Sequence, residues 1–479
     1  MNELITIGID VATAGVRAFA VGGGAVLATA AAELPAPVRS GSGHSEQDAR
    51  AWWPAVESAL SRVTAALPGG GAEVAAVAVA GTSGTIVGVD AEGEPVTPAL
   101  MYDDRRGADH NAKAAELGAE RWRALGSGVA PTAALGRIAW LAEHTGAVAV
   151  RHTADVIAAK LVGGPVAADW SHALKSGYDP LAREWPGEVL DGLGVPSAML
   201  PPVVAPTTVL GLVSRPVGGL PVGCAVVAGM TDGCAGQLAA GAVAPGRFVG
   251  ILGTTYVLKG VTESLVPDPT GVMYSHRHPD GWWLPGGASN TGGEAVSGSA
   301  GLAALDAAAE ARGPAGVVAF PLRRKGERFP FASADATGFV LGDPADEVEL
   351  HRARLEGVAF VERLALDHLR RLGISVDGPL LAAGGGSRSP LWTRIRATTT
   401  GLGISVAPHA ETGYGAALLA AAGMLPGGLT EASVAPSEDT LVEPVAAERE
   451  ALSASYRRFC TALHQRGWID DELHATAMG

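Results

Sequence analysis

Two aspartates, a hydroxyl-rich stretch and two glycine-rich turns are the parts of this chain whose residue types could do chemistry together. Asp10 ends an apolar strand in "GIDVATAGVRAFAV" and enters a turn as small as Ala12-Thr13-Ala14-Gly15, which leaves room beside its carboxylate. Such a carboxylate could hold a hydrated Mg²⁺, an ion that takes one or two carboxylates and completes its shell with water and substrate phosphate. It could equally be a turn aspartate bonding its own loop. Asp232, in "CAVVAGMTDGCAGQL", falls between a strand and a helix. There it is either a helix N-cap or a carboxylate, kept ionised by helix N–H groups, that takes the proton of a sugar hydroxyl attacking phosphorus. Gly253-Thr254-Thr255 and Gly384-Gly385-Gly386 could present backbone amides to phosphate or to the sugar of a nucleotide. In "AGTSGTIVGVDAEGEPVTPALMYDDRRGAD", Ser83 and Thr85 could bond sugar hydroxyls. Asp104 and Arg106 could line a polar pocket there, unless "DDRR" is a solvated charge cluster.

The elements that must position these groups read as α/β. Apolar stretches 4–10, 16–21 and 25–34, split by short turns, predict an antiparallel meander. "SEQDARAWWPAVESALSRVTAAL" predicts a helix capped by Ser45 or Asp48 and kinked or delayed by Pro54. "EVAAVAVAGT" predicts a buried strand, and strand and helix alternate to about residue 230. A second round opens at "GRFVGILGTTYVLKG", again a strand entering a small hydroxylated turn, so two halves of duplicated architecture are expected, 1–240 and 241–479. Val358, Val361, Ala365, Leu369 and Leu372 form one helical stripe that Gly373 would end. "GPLLAAGGGSRSPLW" predicts a strand running into glycines. After residue 424 a Pro/Gly/Ser/Glu-rich connector precedes a last amphipathic helix bearing Leu452, Tyr456, Phe459 and Leu463.

A chain of 479 residues exceeds what one core usually serves, so two domains with a ligand between them are expected. With 47% hydrophobic and 18% charged residues it has ample core and is not globally disordered. A net charge of -14 and no Lys/Arg run argue against nucleic acid. Cys224, Cys234 and Cys460 have no CxxC spacing and read as reduced thiols of a cytoplasmic protein. "MNELITIGID" has no leader pattern, and no apolar run reaches the length of a membrane span. GxxxxGK[ST], a Rossmann GxGxxG and the HRD and DFG signals of protein kinases are all absent, and His44, His110 and His276 lack metal-ligand spacing.

Taken in order, these pieces resemble the FGGY family of carbohydrate kinases. The likeness runs to about residue 423 through "EQD...WW", "ALMYDDRR" (aromatic-x-Asp-x-Arg), "DW..ALKSGYD", "GMTDG...Q..AGAV..G", "LGTTYVLKG", "KGERFP", "LEGVAF" and "GGGSRSPLW". The resemblance implies the duplicated actin/Hsp70-like (ribonuclease H-like) ATPase fold with an interdomain cleft. It also implies phosphoryl transfer from ATP, with Mg²⁺, to an alcohol group of a sugar. By the same likeness Asp10 is the metal-side carboxylate and Asp232 the base. Thr13 and Arg17 would face phosphate, Gly253, Thr254 and Thr255 would cradle phosphates, and Gly384 and Gly385 would lie against adenosine. Ser83, Asp104 and Arg106 would join Asp10 and Asp232 on the sugar side.

Within the family, "AGTSGTIVGVD", "DWSHALKSGYD", "SNTGGEAV" and "GERFPF" look most like the D-ribulose branch. D-xylulose kinases usually carry Met-His-Gly where this chain has Thr82-Ser83-Gly84. D-xylulose, or another polyol or sugar acid, is the alternative acceptor. Family members usually read Asp-x-Gly-Thr followed by Ser or Thr, whereas Asp10-Val11-Ala12-Thr13-Ala14 adds a Cβ and lacks the last hydroxyl. That departure leaves a non-catalytic sugar or nucleotide sensor as the contrasting reading. The expected partners are a small sugar and ATP, with no nucleic acid and no membrane; homodimerisation is left open.

Overall fold

The computed structural model describes residues 4–433 and 441–479, so part of the connector expected after residue 424 lies outside the described residues. The chain divides into two compact units that exchange segments. The first runs to Ala239 and adds His276–Trp282 and a segment beginning at Ala410; the second comprises Ala240–Ser275, Trp283–His409 and the C-terminal helices. A boundary drawn once, between 240 and 241, misses these exchanges, because a helix from late in the chain completes the first unit.

In the first unit the expected meander is present as β1 (Ile5–Ala12), β2 (Gly15–Gly22) and β3 (Ala25–Glu33), paired antiparallel. Val74–Gly81 (β4) pairs parallel to β1, Ala225–Val227 (β6) pairs parallel to β4, and Val209–Leu212 (β5) closes the sheet antiparallel to β6. The second unit repeats this plan. Phe248–Leu252 (β7) pairs antiparallel with Tyr256–Gly260 (β8), and β8 with Trp283–Ala288 (β9). Leu380–Ala383 (β10) and Ile404–Val406 (β11) follow in parallel, with Leu441–Val442 (β12) antiparallel at the edge. Over these six strands the succession of orientations is the same in both sheets, the second carrying Tyr274–Arg277 as a seventh at its edge, so the duplication faintly legible in two hairpins extends across the sheets.

The predicted helix start at Ser45 is not what forms. Ser45–Gln47 is a short strand, Asp48 caps a 3₁₀ turn by accepting from the Arg50 amide, and the helix runs Trp52–Ala65 with Pro54 in its first turn. Proline lacks an N–H, which costs nothing in the first turn and would break a helix already under way. The stripe from Val358 to Leu369 is the buried face of the helix Glu347–Arg371, and Gly373, with φ +78°, ends it as expected. Leu452, Tyr456, Phe459 and Leu463, on Arg449–Gln465, are fully buried in the core of the second unit.

The helix Thr412–Ala422 lies directly on β1 through facing glycines. A Cβ on Gly8 would stand 1.9 Å from the Gly413 carbonyl oxygen, and one on Gly415 would stand 1.9 Å from that of Ala235. Thr6 Oγ1 donates to the Ala417 carbonyl at 2.9 Å in the same seam. Gly8→Ala is therefore expected to destabilise the protein by about 3 kcal/mol or more, because both sides of the clash are backbone. Urea unfolding monitored by circular dichroism measures it; an unchanged midpoint would mean the helix does not sit this close.

Candidate active site

In the first unit three strand ends converge. Asp10 is the antepenultimate residue of β1, β4 ends at Gly81, and Thr231 bridges to Gly81 one residue before the helix Asp232–Ala239. Carboxyl ends of neighbouring parallel strands are where open α/β sheets take ligands, since loops leave there and backbone polar groups are exposed. Asp10 is 1% exposed. Arg17 stands opposite it in the β1–β2 register and brings Nη2 to 2.8 Å from Oδ2, though without hydrogen-bond alignment. Oδ1 has no hydrogen-bond partner among the described residues. Burial raises the Asp10 pKa to about 6, against the pull of Arg17 and with the charge of Asp232 adding to the rise. Gly81 pairs with Val11, next to Asp10, and bridges to Thr231, next to Asp232, so the two carboxylates share one set of strand ends.

Asp232 is half-buried at the helix start, where its Oδ1 accepts from the Gly233 amide at 2.7 Å and its carbonyl accepts from Thr412 Oγ1 at 3.4 Å. The residue thus sits at a helix N-terminus, as one of its two sequence readings has it, with one carboxylate oxygen on the neighbouring amide. The β1–β2 turn is only Thr13-Ala14, since Ala12 already pairs with Gly15. The Thr13 carbonyl accepts from Gln47 Nε2 at 2.9 Å and that of Ala14 from the Leu34 amide at 3.0 Å, so this turn is braced from behind.

Beyond β4, Thr82 Oγ1 reaches the Val11 carbonyl at 3.4 Å, while Ser83 Oγ and Thr85 Oγ1 are buried without partners among the described residues. Orphaned hydroxyls beside a strand end are what a polyol would satisfy. Asp104 and Arg106 are neither a solvated cluster nor open to a pocket. Asp104, with no exposed surface, accepts from the Ser45 amide at 2.7 Å and from the Arg106 side chain through both oxygens. Arg106 also pairs with Glu46 at 2.8 Å and lies over the Trp140 ring; burial opposes its charge, but the bonds to Asp104 and Glu46 keep its pKa raised. The pair ties the turn that follows the strand Ala99–Leu100 to the strand Ser45–Gln47.

The second unit carries a cavity of about 850 Å³ at the matching strand ends. Gly253 and Thr254, after β7, and Gly385 and Gly386, after β10, line it; Thr255 and Gly384 do not. Gly384 serves the strands instead, with φ +88° and a Cβ position 2.5 Å from the Leu252 carbonyl oxygen. β7 is fixed from beneath by Arg396 and Glu362, both fully buried: Nε and Nη2 donate at 2.6 and 2.8 Å, and Nη2 also reaches the Gly250 carbonyl. Tyr256 Oη donates to the same Glu362 at 3.1 Å, so the Gly253 turn is held on both flanks.

Sequence reasoning left out the opposite wall. Asp306 and Glu310, one turn apart on Leu302–Arg312, face the cavity with His351, Arg388 and Trp392. Asp306 accepts from Ser389 Oγ and pairs with His351 Nε2, both at 2.7 Å, tying three helices around the opening. Arg388, Ser389 and Trp392 stood in the quoted "GGGSRSPLW"; nothing in the alanine-rich "LAALDAAAEAR" marked Asp306. A Cβ on Gly385 would meet nothing within 4 Å, so Gly385→Val is expected to fold normally and narrow the cavity. It should raise KM for the nucleotide by about tenfold or more with the thermal midpoint unchanged. Unaltered nucleotide KM would place the ligand elsewhere.

Comparison with known proteins accords with this geometry. Residues 5–239 match the model of the FGGY family of carbohydrate kinases, N-terminal domain, and residues 248–424 that of its C-terminal domain. A xylulose kinase of Streptomyces rubiginosus is 33% identical over 463 residues, 93% of each chain. Solved structures of a xylulose kinase from Rhodospirillum rubrum and a xyloylose kinase from Brucella ovis each superpose with a TM-score of 0.85 at 26% identity. They cover 97% of this chain and 99% and 100% of theirs.

Proposed function

This chain belongs to the FGGY family of carbohydrate kinases, ATP-dependent phosphotransferases acting on an alcohol group of a sugar, and from that premise we propose that its acceptor is a pentulose. D-xylulose is the acceptor supported by the named relatives. The observation that carries the reading is the pair Asp10 and Asp232, brought by two strand ends close enough for one charge to raise the pKa of the other. Two carboxylates with such different surroundings can take different tasks.

Asp232, half-exposed and with one oxygen still available, accepts the proton of the attacking hydroxyl. Ser83 and Thr85 supply orphaned hydroxyls for the sugar. Asp10 fits a divalent cation: its carboxylate is buried and Oδ1 lacks a partner among the described residues. Mg²⁺ held there would supply charge neutralisation on phosphate oxygens. In the second unit, Gly253, Thr254, Gly385 and Gly386 let the backbone approach the nucleotide closely, and the Trp392 side lends an apolar wall. Ala12 and Ala14 leave the β1–β2 turn with fewer groups for phosphate, which weakens that contact without touching the two carboxylates.

D-ribulose is the second reading, favoured by Ser83, whose short side chain leaves an unsatisfied hydroxyl where Met-His-Gly would stand in D-xylulose kinases. ADP release with ATP and Mg²⁺ should be measured across D-xylulose, D-ribulose, L-ribulose, D-gluconate, glycerol and a sugar-free blank. Highest kcat/KM with D-xylulose is the expected result. A preference for D-ribulose selects the second reading, a preference for gluconate or glycerol overturns the pentulose assignment, and tight sugar binding without ADP would favour a sensor.

A further inference from the structure

Behind Asp232 lies a buried histidine that the roles above do not use. His172 and Asp169 bracket the first turn of the helix Trp170–Lys175, and they are 0% and 1% exposed. His172 Nδ1 is hydrogen-bonded to Asp169 Oδ2. Asp169 Oδ1 in turn accepts from Ser171 Oγ at 2.5 Å and from the Ser171 amide at 2.7 Å. Ser171 Oγ then accepts from the Thr231 amide at 2.9 Å, so the histidine's support is tied to the residue immediately before Asp232. The other ring nitrogen, Nε2, is buried with no partner among the described residues. It lies 3.4 Å from where a Cβ on Gly81 would be, and Gly81 bridges to Thr231. A buried ring nitrogen left unpaired is costly, and its survival beside the strand end that bridges to Thr231, the residue before Asp232, calls for a use.

We propose that His172, held by Asp169, is a positioning residue for phosphoryl transfer, its Nε2 side presenting positive charge that steadies the Asp232 carboxylate. The inference rests on the assignment of Asp232 as the base. Every titratable group around the ring fits it. Asp169 caps the same helix; Asp155, on Thr153–Val162, and Asp232, at the start of Asp232–Ala239, contribute negative charge from other elements. Together they raise the His172 pKa although burial opposes the charged form. His152, whose ring centroid is 5.5 Å away, is committed elsewhere, to Asp155 through Nδ1 and Ser176 through Nε2. A positive charge on His172 favours the ionised form of a neighbouring base.

Two measurements test this, one independent of turnover. In the first, the imidazole signals of histidine-labelled protein are followed by NMR from pH 5 to 9, with His172→Gln assigning the resonance. Asp232→Asn is expected to lower the His172 midpoint by about half a pH unit or more, because an opposing charge is removed. An unmoved midpoint overturns the proposal even if no sugar is turned over. In the second, His172→Gln, which cannot carry charge, should lower kcat several-fold and move the acid limb of its pH profile upward, with KM for ATP unchanged. His152→Gln should leave the pH profile where it is. A loss in His172→Gln that is equal at all pH values, or matched by His152→Gln, would mark the residue as merely structural. If no acceptor is found at all, the function assignment fails while the NMR titration still decides the coupling.

Discussion

Asp232→Asn is expected to lower kcat by about 10²–10⁴-fold, the usual worth of a positioned general base, while the protein stays folded. Asparagine keeps the shape of the side chain, and its amide oxygen can still accept from the Gly233 amide as Oδ1 does. The residue is half-buried and takes part in no ion pair among the described residues, so little packing depends on its charge. KM for ATP should be unchanged, since the cavity assigned to the nucleotide is lined by second-unit residues. A coupled ADP assay and a thermal melt check both halves of the statement. Turnover near that of the wild type would remove Asp232 from the role of base, and a collapsed melt would show that the carboxylate is needed for folding.

Asp10→Asn should abolish transfer comparably and yet stabilise the metal-free protein at neutral pH. The folded-state pKa of about 6 lies above the ordinary value of 3.8, chiefly because burial disfavours the charged form. The native state therefore holds the proton more tightly than the unfolded chain. Stability falls as pH rises from about 4 to about 6, and above 6 the full cost is carried. A rise of about two units corresponds to roughly 3 kcal/mol at most. Asn carries no such cost; losing the ion contact to Arg17 offsets little, because that guanidinium is 53% exposed and returns to water. With EDTA present, the variant's midpoint should exceed the wild type's above pH 6, and the two should converge toward pH 4. A variant less stable at pH 7.5 would mean that Arg17 outweighs desolvation. The expected trade of stability for a reactive carboxylate is common at functional sites.

How much of this was legible in the sequence varies by residue. Asp10 and Asp232 could be singled out as candidates because one closes an apolar strand at a small-residue turn and the other stands between a strand and a helix, local patterns that survive without knowledge of partners. The duplicated ATPase architecture, actin-like in plan, was readable from two hairpins and an ordered set of motifs. The helix start at Trp52 was not, because Ser45 and Asp48 are equally good caps locally. Only the demand of the Ala99–Leu100 strand for a partner made residues 45–47 extended. Asp104 and Arg106 look in sequence like exposed charges or pocket walls, and become a buried brace once Glu46 and Trp140 arrive from elsewhere.

The sequence by itself determined most of the strands, since these depend on periodicity and on short turns that local sterics control, and its ordered motifs carried the resemblance from which the family and the kinase chemistry followed. The tertiary structure alone decided which glycines face a ligand. Gly384 and Gly385 are adjacent and chemically identical, but one is wedged against the Leu252 backbone and the other opens on the cavity. It also decided that Asp306 completes that cavity, and that His172 lies beside Gly81 with a ring nitrogen unpaired among the described residues. Those facts depend on contacts between residues far apart in the chain, and no local pattern encodes the distance between two elements until they have packed.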